Sequence, residues 1–575
     1  VAQGRQYERG LDHGGGSFTR LGQGEIGGKA AGLVGMRQAL EARFPEGRFE
    51  GLRVDIPRMT VLTTDLFERF VRDNELEYLA ASDFSDEQIA LQFQRAELAP
   101  DAVGDLLALI SSVHEPLAIR SSSLLEDAVH APLAGVYETK MIPNNQPEAE
   151  SRFRRLMEAI KFVYASTYFR QARDYFRALG KDILQERMAV IIQEVVGLRF
   201  GERYYPTVSG VARSYNFYPT GNARPHEGVV MLALGLGKTI VDGERAWSYC
   251  PAWPQAPPPY VSVEQLLENT QSRFWAVSMA TAREYEPVRE AEYLEHPGLD
   301  AAELDGSLRY VCSTYDPQSD RLNMGLAAGG PRLLDFSPIL KGRVAPLNEL
   351  VGMVLSTAEQ STGGDVEIEF ALAFDPDHGK ESRFGFLQVR GLTEAAEGAR
   401  VEVGEVAGPE AVVFSRRAMG NGLLTGIRDV VYVRPETFQA AATPAVAAEV
   451  ARLNARLLEQ GVPYVLLGFG RWGSADPWLG IPVVWGQISG ARVIVEATAA
   501  QMNPDLSQGS HFFHNLTALG ALFFAVPDQA CGWIDWDWLA AQQTVAQGQF
   551  VRHIRCPRDL EVRADGRQGT GVILK

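Results

Sequence analysis

Residues 117–139 read LAIRSSSLLEDAVHAPLAGVYET, a stretch with the make-up of an anion-handling loop. The apolar run Leu117-Ala118-Ile119 predicts a short strand that delivers Arg120 into three hydroxyl residues, Ser121 to Ser123. Arginine presents a rigid fork of donors matched to phosphate oxygens, and small hydroxyl residues let the backbone approach an anion closely. The segment then turns acidic at Glu126-Asp127 and closes with Gly135 and Thr139. A strand, a capped turn and a surface salt bridge would account for the same composition.

Working outward, Ile26-Gly27-Gly28-Lys29 sets two glycines and a lysine ahead of a helical pattern through Leu33, Met36 and Leu40. Glycines there would let the backbone approach a ligand, and a helix start favours negative charge. Apolar residues at three- and four-residue steps predict one long helix over 150–179, and the β-branched run MAVIIQEVV predicts a buried strand over 188–196. Further on, alternation in Val366-Glu367-Ile368-Glu369-Phe370 puts two carboxylates on one face of a strand. That placement suits magnesium, which takes hard oxygen ligands, although an exposed polar strand face reads the same way.

These pieces, in this order, resemble the ATP-binding domain of the phosphoenolpyruvate synthase and pyruvate phosphate dikinase family. The family carries an R-S-[SG] run before E-D and F-A-G-x-x-x-T, and a G-G-K-x-x-x-L opening. It also has an M-x-V-x-V-Q-x-M-V strand, S-G-V-x-F-[TS] and A-x-G-L-G-E-x-V-V-x-G segments, and closing D-I-E-[FW] and L-Q-x-R motifs. The resemblance implies that Lys29, Arg120 and Arg390 neutralise phosphates and that Gly135 and Thr139 belong to the loop around them. It implies that Gln193 contacts the nucleotide while Glu194 to Val196 offer backbone groups to the adenine. It further implies that Glu369 and Gln388 close the site, with Glu367 and Glu369 holding magnesium. Two departures stand out: Glu367 replaces an aspartate, and Lys238 stands where the family has an acid, which alters the expected metal arrangement. The fold implied is α+β, an ATP-grasp-like two-lobed nucleotide-binding domain over 21–395, after a flexible segment 1–20. A smaller α/β domain over 396–575 would follow it.

Composition bounds the rest. The chain has 575 residues, 46% of them apolar and 22% charged, which calls for two to four domains of a globular protein. A formal charge of −17 argues against a general nucleic-acid surface. The sequence holds neither a long uncharged apolar run nor an apolar leader at its start, so no membrane role is expected, and a cytoplasmic location with four free thiols is. The glycine-rich opening without Met reads as the mark of a processed product or fragment, with a signalling domain upstream, as in bacterial proteins that the C-terminal wording resembles. A homo-oligomer stays open. Between 258 and 331 no nucleotide motif matches, so a family-specific insertion is expected, with a helix over 261–285 and a strand over 307–313.

After Gly391 the resemblance ends. The family's phosphohistidine setting, T-x-H-x-A, and its barrel do not follow, and about 180 residues are too few for a barrel of typical size plus a swivelling domain. Two features concentrate there. One is the loop Gly468-Phe469-Gly470-Arg471-Trp472-Gly473, whose Arg471 either binds an anion or stacks on Trp472 in a tight turn. The other is Gly509-Ser510-His511, where His511 is either a phosphoryl carrier or general base, or a packed histidine. The expectation is an ATP-dependent phosphotransferase with ATP and Mg2+ as cofactors. Its acceptor would be His511 or a small molecule beside Arg471. A nucleotide-sensing module without phosphoryl transfer and an ATP-dependent ligase remain alternatives.

Overall fold

The computed structural model describes residues 5–6, 18–126, 135–178, 180–217, 219, 221–256, 263–280, 285–374, 376, 381–392, 410–474, 476–499, 521–566 and 568–575. Helices and strands are mixed throughout, as an α+β chain requires. The first sheet orders its strands Arg5–Gln6, Phe18–Leu21, Met59–Leu62, Met188–Glu194, Leu117–Ser123 and Thr139–Ile142. One face is sealed by helices Thr64–Asp73, Asp86–Arg95, Pro100–Ser112, Ala149–Ser166 and Arg170–Ala178, packed on Leu117, Ile119, Val190 and Ile192. Strand alternation sends Ile191 and Met59 to the other face, where helix Gly28–Arg43 supplies Ala30, Leu33, Met36 and Leu40.

The second sheet orders Trp247–Tyr249, Val229–Ala233, Val208–Arg213, Val366–Ala373, Ser382–Gly391 and Leu52–Asp55. Its Ile368, Phe370, Leu372 and Phe386 share the core of helix Gly28–Arg43, so that helix lies between the two sheets. Helix Leu347–Thr362 backs the same core with Leu350, Val351 and Val354.

Residues from 410 onward build a separate ten-stranded sheet. Its centre is parallel: Asn421–Val433, Tyr464–Phe469, Ala491–Ala497 and Leu522–Val526 run side by side, with helix Thr443–Glu459 crossing between the first two. These strands are apolar on both faces, as a doubly covered parallel sheet demands. Val431, Leu466 and Ile494 join the core that holds the helices of the first sheet, whereas Val430, Leu467 and Val495 form a core of their own.

Three local expectations change. The stretch 150–179 is two helices, with Ser166 and Tyr168 buried at the break between Ala149–Ser166 and Arg170–Ala178. Among the described residues of the helix expected over 261–285, Val263–Glu268 is helical, and Ala276–Ser278 is a strand. Leu308–Tyr310 is a tight helical turn that buries Leu308 and Tyr310, and the strand starts only at Ser313. All four cysteines are free thiols, and Cys312 and Cys556 are buried. No helix among the described residues is long and apolar enough to cross a membrane.

Candidate functional site

Strand Leu117–Ser123 lies between Met188–Glu194 and Thr139–Ile142, opposing Arg120 to Thr139 and Ala118 to Gln193. Alternation then turns Arg120 and Gln193 to the side that faces the second sheet. There the Arg120 guanidinium joins the two sheets. Its Nη1 donates to Gln193 Oε1 at 3.3 Å and to the Leu387 carbonyl at 2.9 Å, and its Nη2 donates to Gln388 Oε1 at 2.7 Å and Glu369 Oε2 at 3.2 Å. Four positions expected on one site, Arg120, Gln193, Glu369 and Gln388, thus meet around one fork of donors. Gln193 is 2% exposed, and its Nε2 is buried without a hydrogen-bond partner. A buried donor without an acceptor costs about 1–3 kcal/mol, so a ligand atom that accepts from it would recover that loss. Beside it, Ala118, Val195, Leu236, Val277 and Met279 form a small apolar cluster with Met141.

Lys29 sits at the start of helix Gly28–Arg43, 9% exposed. Its ammonium donates to Glu126 Oε1 at 2.8 Å and Ser121 Oγ at 3.3 Å. Glu126 also accepts from Ser121 Oγ and the Ser123 N–H, each at 2.9 Å. The serine run is thus a local brace as well as a lining: Ser122 Oγ accepts from the Ala30 N–H at 3.1 Å and donates to the Ile26 carbonyl at 2.9 Å. The two glycines before Lys29 have a different reason from the one expected. A Cβ on Gly27 would lie 1.6 Å from the Ser122 carbonyl oxygen, and one on Gly28 would lie 1.7 Å from that of Glu126. They allow the helix to dock closely on the serine strand. Gly135, at φ +62°, accepts at its carbonyl from Gln171 Nε2 at 2.7 Å.

Across the cleft the two acids part company. Glu369 is opposite Gln388 and Glu367 opposite Arg390, so all four lie on one face of the paired strands. Glu369 is half-buried at the Arg120 fork, while Glu367, 1% exposed, is enclosed by two buried arginines, Arg213 and Arg390. Arg390 Nε donates to Glu367 Oε1 at 2.8 Å and Arg213 Nε holds Oε2. Both oxygens of Glu367 are therefore engaged by cations; Glu369 Oε2 and Gln388 Oε1, hard oxygen donors of the kind magnesium takes, both accept from Arg120 Nη2, so a metal there would have to displace that guanidinium contact. In the sequence, Arg213 ends the segment Ser209-Gly210-Val211-Ala212-Arg213, which resembles the family's S-G-V-x-F-[TS] strand and gives no sign of this pairing.

In the segment expected to offer backbone groups to adenine, the Glu194 N–H donates to the Arg58 carbonyl at 3.0 Å and the Val195 N–H to the Pro116 carbonyl at 2.9 Å. Val196 is buried. Burial pushes the Glu194 carboxyl up, with Arg383 and Arg58 working against it. Lys238 donates to Glu290 at 3.0 Å and pairs with Asp242 at 3.1 Å. Burial disfavours its charge, but the two acids outweigh this and hold its ammonium above the usual lysine range.

In the C-terminal sheet, the loop after Tyr464–Phe469 leaves the carboxyl edge of the parallel strands, where open α/β sheets place ligands. Arg471 Nη1 donates to the Gly243 carbonyl at 3.0 Å, tying this loop to the segment that carries Lys238. Trp472 is 1% exposed and core-bound, with its N–H on Glu496 Oε1 at 2.8 Å. His511 lies outside the described residues. A buried pair that sequence reading missed is His553 and Asp429, 2.7 Å apart, with Arg555 on the same carboxylate at 3.0 Å. The partners are distant in sequence and come together through strand register alone.

The family described as pyruvate phosphate dikinase, AMP/ATP-binding domain, matches residues 23–407, two thirds of the chain. Among curated proteins, phosphoenolpyruvate synthase of Aeropyrum pernix is 27% identical over 244 residues, which cover 38% of this chain and 26% of that one. The match thus spans about a quarter of the relative's length.

Proposed function

Because this chain belongs to the pyruvate phosphate dikinase AMP/ATP-binding domain family, we propose that it is a phosphotransferase that binds Mg-ATP between its first two sheets and passes on a phosphoryl group. The observation that carries the reading is the Arg120 fork, which gathers Gln193, Glu369 and Gln388 from two sheets. Arg120 would meet phosphate oxygens and stabilise charge as the phosphoryl group leaves, a role electrostatic preorganisation performs well. Lys29, beside the Ser121 to Ser123 strand, would neutralise a second phosphate, and Arg390 would do so while remaining paired with Glu367. Gln193 Nε2 would donate to the nucleotide, with Ala118, Val195, Leu236 and Met279 as an apolar seat for adenine next to the backbone of Glu194 to Val196. Gly135 and Thr139 would form the rim beside Arg120.

Glu369 with Gln388 would hold magnesium, and Glu367 would act by fixing Arg390. A magnesium ion held there would supply positive charge against the phosphates. The two sheets would then work as the lobes of an ATP-grasp-like clamp. The acceptor would be His511 or a small molecule beside Arg471. Incubation with Mg2+ and β- or γ-labelled ATP is the test: transfer of the β-phosphoryl group leaves AMP, and an ordinary kinase step leaves ADP. An acid-labile, base-stable protein label lost in His511→Ala would assign the phosphohistidine. Absence of nucleotide turnover with every acceptor tried, together with retained ATP binding, would favour the second reading. That reading, a nucleotide sensor without transfer, draws on Lys238, which stands in an acid's place and is held by Glu290 and Asp242.

A further inference from the structure

A hollow of about 280 Å3 opens where the C-terminal sheet meets the segment after Lys238. Its walls include Glu244, Arg245, Gln271, Arg273 and His296 from the first part of the chain and Asp476 from the loop that begins at Arg471. The seam is built rather than incidental. Arg471 is anchored on the Gly243 carbonyl, immediately before Glu244, and Gln271 is fixed on both backbone groups of Leu234 at 2.8 and 2.9 Å. Trp275 makes the back rigid: its Nε1 donates to Glu244 Oε1 at 3.1 Å, and its ring stacks on His296 at 4.2 Å with 4° between planes.

Two of the lining residues carry buried polar atoms without a hydrogen bond, Arg245 Nε and His296 Nε2, the latter lying 3.5 Å from Glu244 Oε2. Burial and the nearby Arg273 charge hold the His296 imidazole below its usual range, so at neutral pH it is an uncharged ring that a ligand group can hydrogen-bond. The formal charges of the walls cancel, with Glu244 and Asp476 against Arg245 and Arg273. A purely anionic or purely cationic ligand would therefore meet like charges as well as opposite ones. A small molecule carrying both signs could pair with each, and the volume lies just below that of ordinary ligand pockets, roughly 300–1,000 Å3.

We propose that this seam is a binding site for a small zwitterion of the α-amino-acid class. The carboxylate is held by Arg245 and Arg273, and the ammonium is held by Glu244 and Asp476. Bidentate arginine contacts to a carboxylate supply both energy and orientation. Because Asp476 belongs to the C-terminal sheet's loop and Glu244 follows the Lys238 turn, an occupant would bridge the two parts of the chain. The proposal concerns binding and stands whether or not phosphate is transferred.

The test is isothermal titration of the full chain with each of the free L-amino acids, followed by the N-acetyl and the amide derivative of the best binder. One saturable site is expected, weakened at least about tenfold by either cap and by Arg273→Ala or Asp476→Asn. Arg273 is exposed, so that variant should fold, and an unchanged thermal melt of each variant confirms it. Failure of every amino acid to saturate below about 10 mM would overturn the proposal, as would equal binding of the capped forms or wild-type affinity in both variants.

Discussion

At the residue scale, Arg120 is the side chain on which most of the candidate site converges. Arg120→Ala removes the fork of donors and is expected to lower ATP turnover by roughly a hundredfold or more, the size typical of losing a preorganised charge-stabilising donor. Arg120→Lys should recover little, because an ammonium keeps the charge and loses the planar fork. Steady-state ATP consumption together with the Kd of a non-hydrolysable ATP analogue separates a turnover defect from a binding one. A loss of thermal stability without either defect would reduce Arg120 to a lobe fastener. Glu367 predicts a different signature. Glu367→Gln leaves two buried arginines facing a neutral amide and should cost about 3–5 kcal/mol, read as a lowered denaturant midpoint. Replacing Arg213, Glu367 and Arg390 together by apolar residues of similar volume should recover much of that stability, because no charge is then left buried without a partner. The positions of Lys29, Arg120, Gln193, Glu369 and Gln388 were legible because their residue types and order carry a motif. The arginine cage around Glu367 was not, since Arg213 is 154 residues away and reaches it through strand register.

Among elements, the junction between helix Gly28–Arg43 and strand Leu117–Ser123 carries the sharpest constraint. Gly27 adopts φ 75° and ψ 170°, a region open in practice only to glycine, with the Ser122 carbonyl directly in the path of any Cβ. Gly27→Ala should therefore destabilise by at least about 2 kcal/mol and pull Lys29 out of register with Ser121. Gly35, on the same helix, has open space where its Cβ would be, and Gly35→Ala should stabilise by up to about 1 kcal/mol. Paired thermal melts of the two variants check both signs in one element. The helix itself was readable from its 3.6-residue apolar spacing, and strand Met188–Glu194 from its β-branched run. The meaning of the glycines was not, because a Gly pair before a lysine looks the same whether it clears room for a phosphate or for a neighbouring strand. The stretch beyond Glu268 misled for a related reason: Phe274, Ala276 and Val277 are fully buried, and a short buried strand and a helix segment share that apolar content.

For the whole molecule, one core runs from the helices of the first sheet into the C-terminal sheet, joining Phe162 and Tyr175 to Leu466, Trp485 and Phe523 in a single cluster. The family resemblance marked two regions but could not show that they share a core, because each strand of the parallel sheet is apolar on both faces whatever covers it. Removal of residues 410–575 should thus expose helix Arg170–Ala178, lower the melting midpoint of the remainder and raise its binding of a hydrophobic dye. The same global stability should carry a pH signature from groups buried in opposite senses. Glu186 is 3% exposed, and burial pushes its carboxyl up from 4.5 to about 7, against the Arg187 N–H that favours the ionised form. The folded state then binds more protons than the unfolded state between those two values, so stability falls as pH rises through that window, by about 3 kcal/mol from this group. Asp429 runs the other way: burial raises it, but His553 and Arg555 outweigh burial and hold it below 3.8, so its contribution is present above that value and is lost as pH falls further. Denaturant midpoints measured across pH should therefore climb from pH 8 toward pH 5 and drop again in stronger acid. Glu186→Gln, which cannot ionise, should make the upper limb shallower without abolishing it, because burial also pushes the Glu138 carboxyl up to about 7, and should leave the acid limb in place. A wild-type slope above pH 5 in that variant would remove Glu186 as its source.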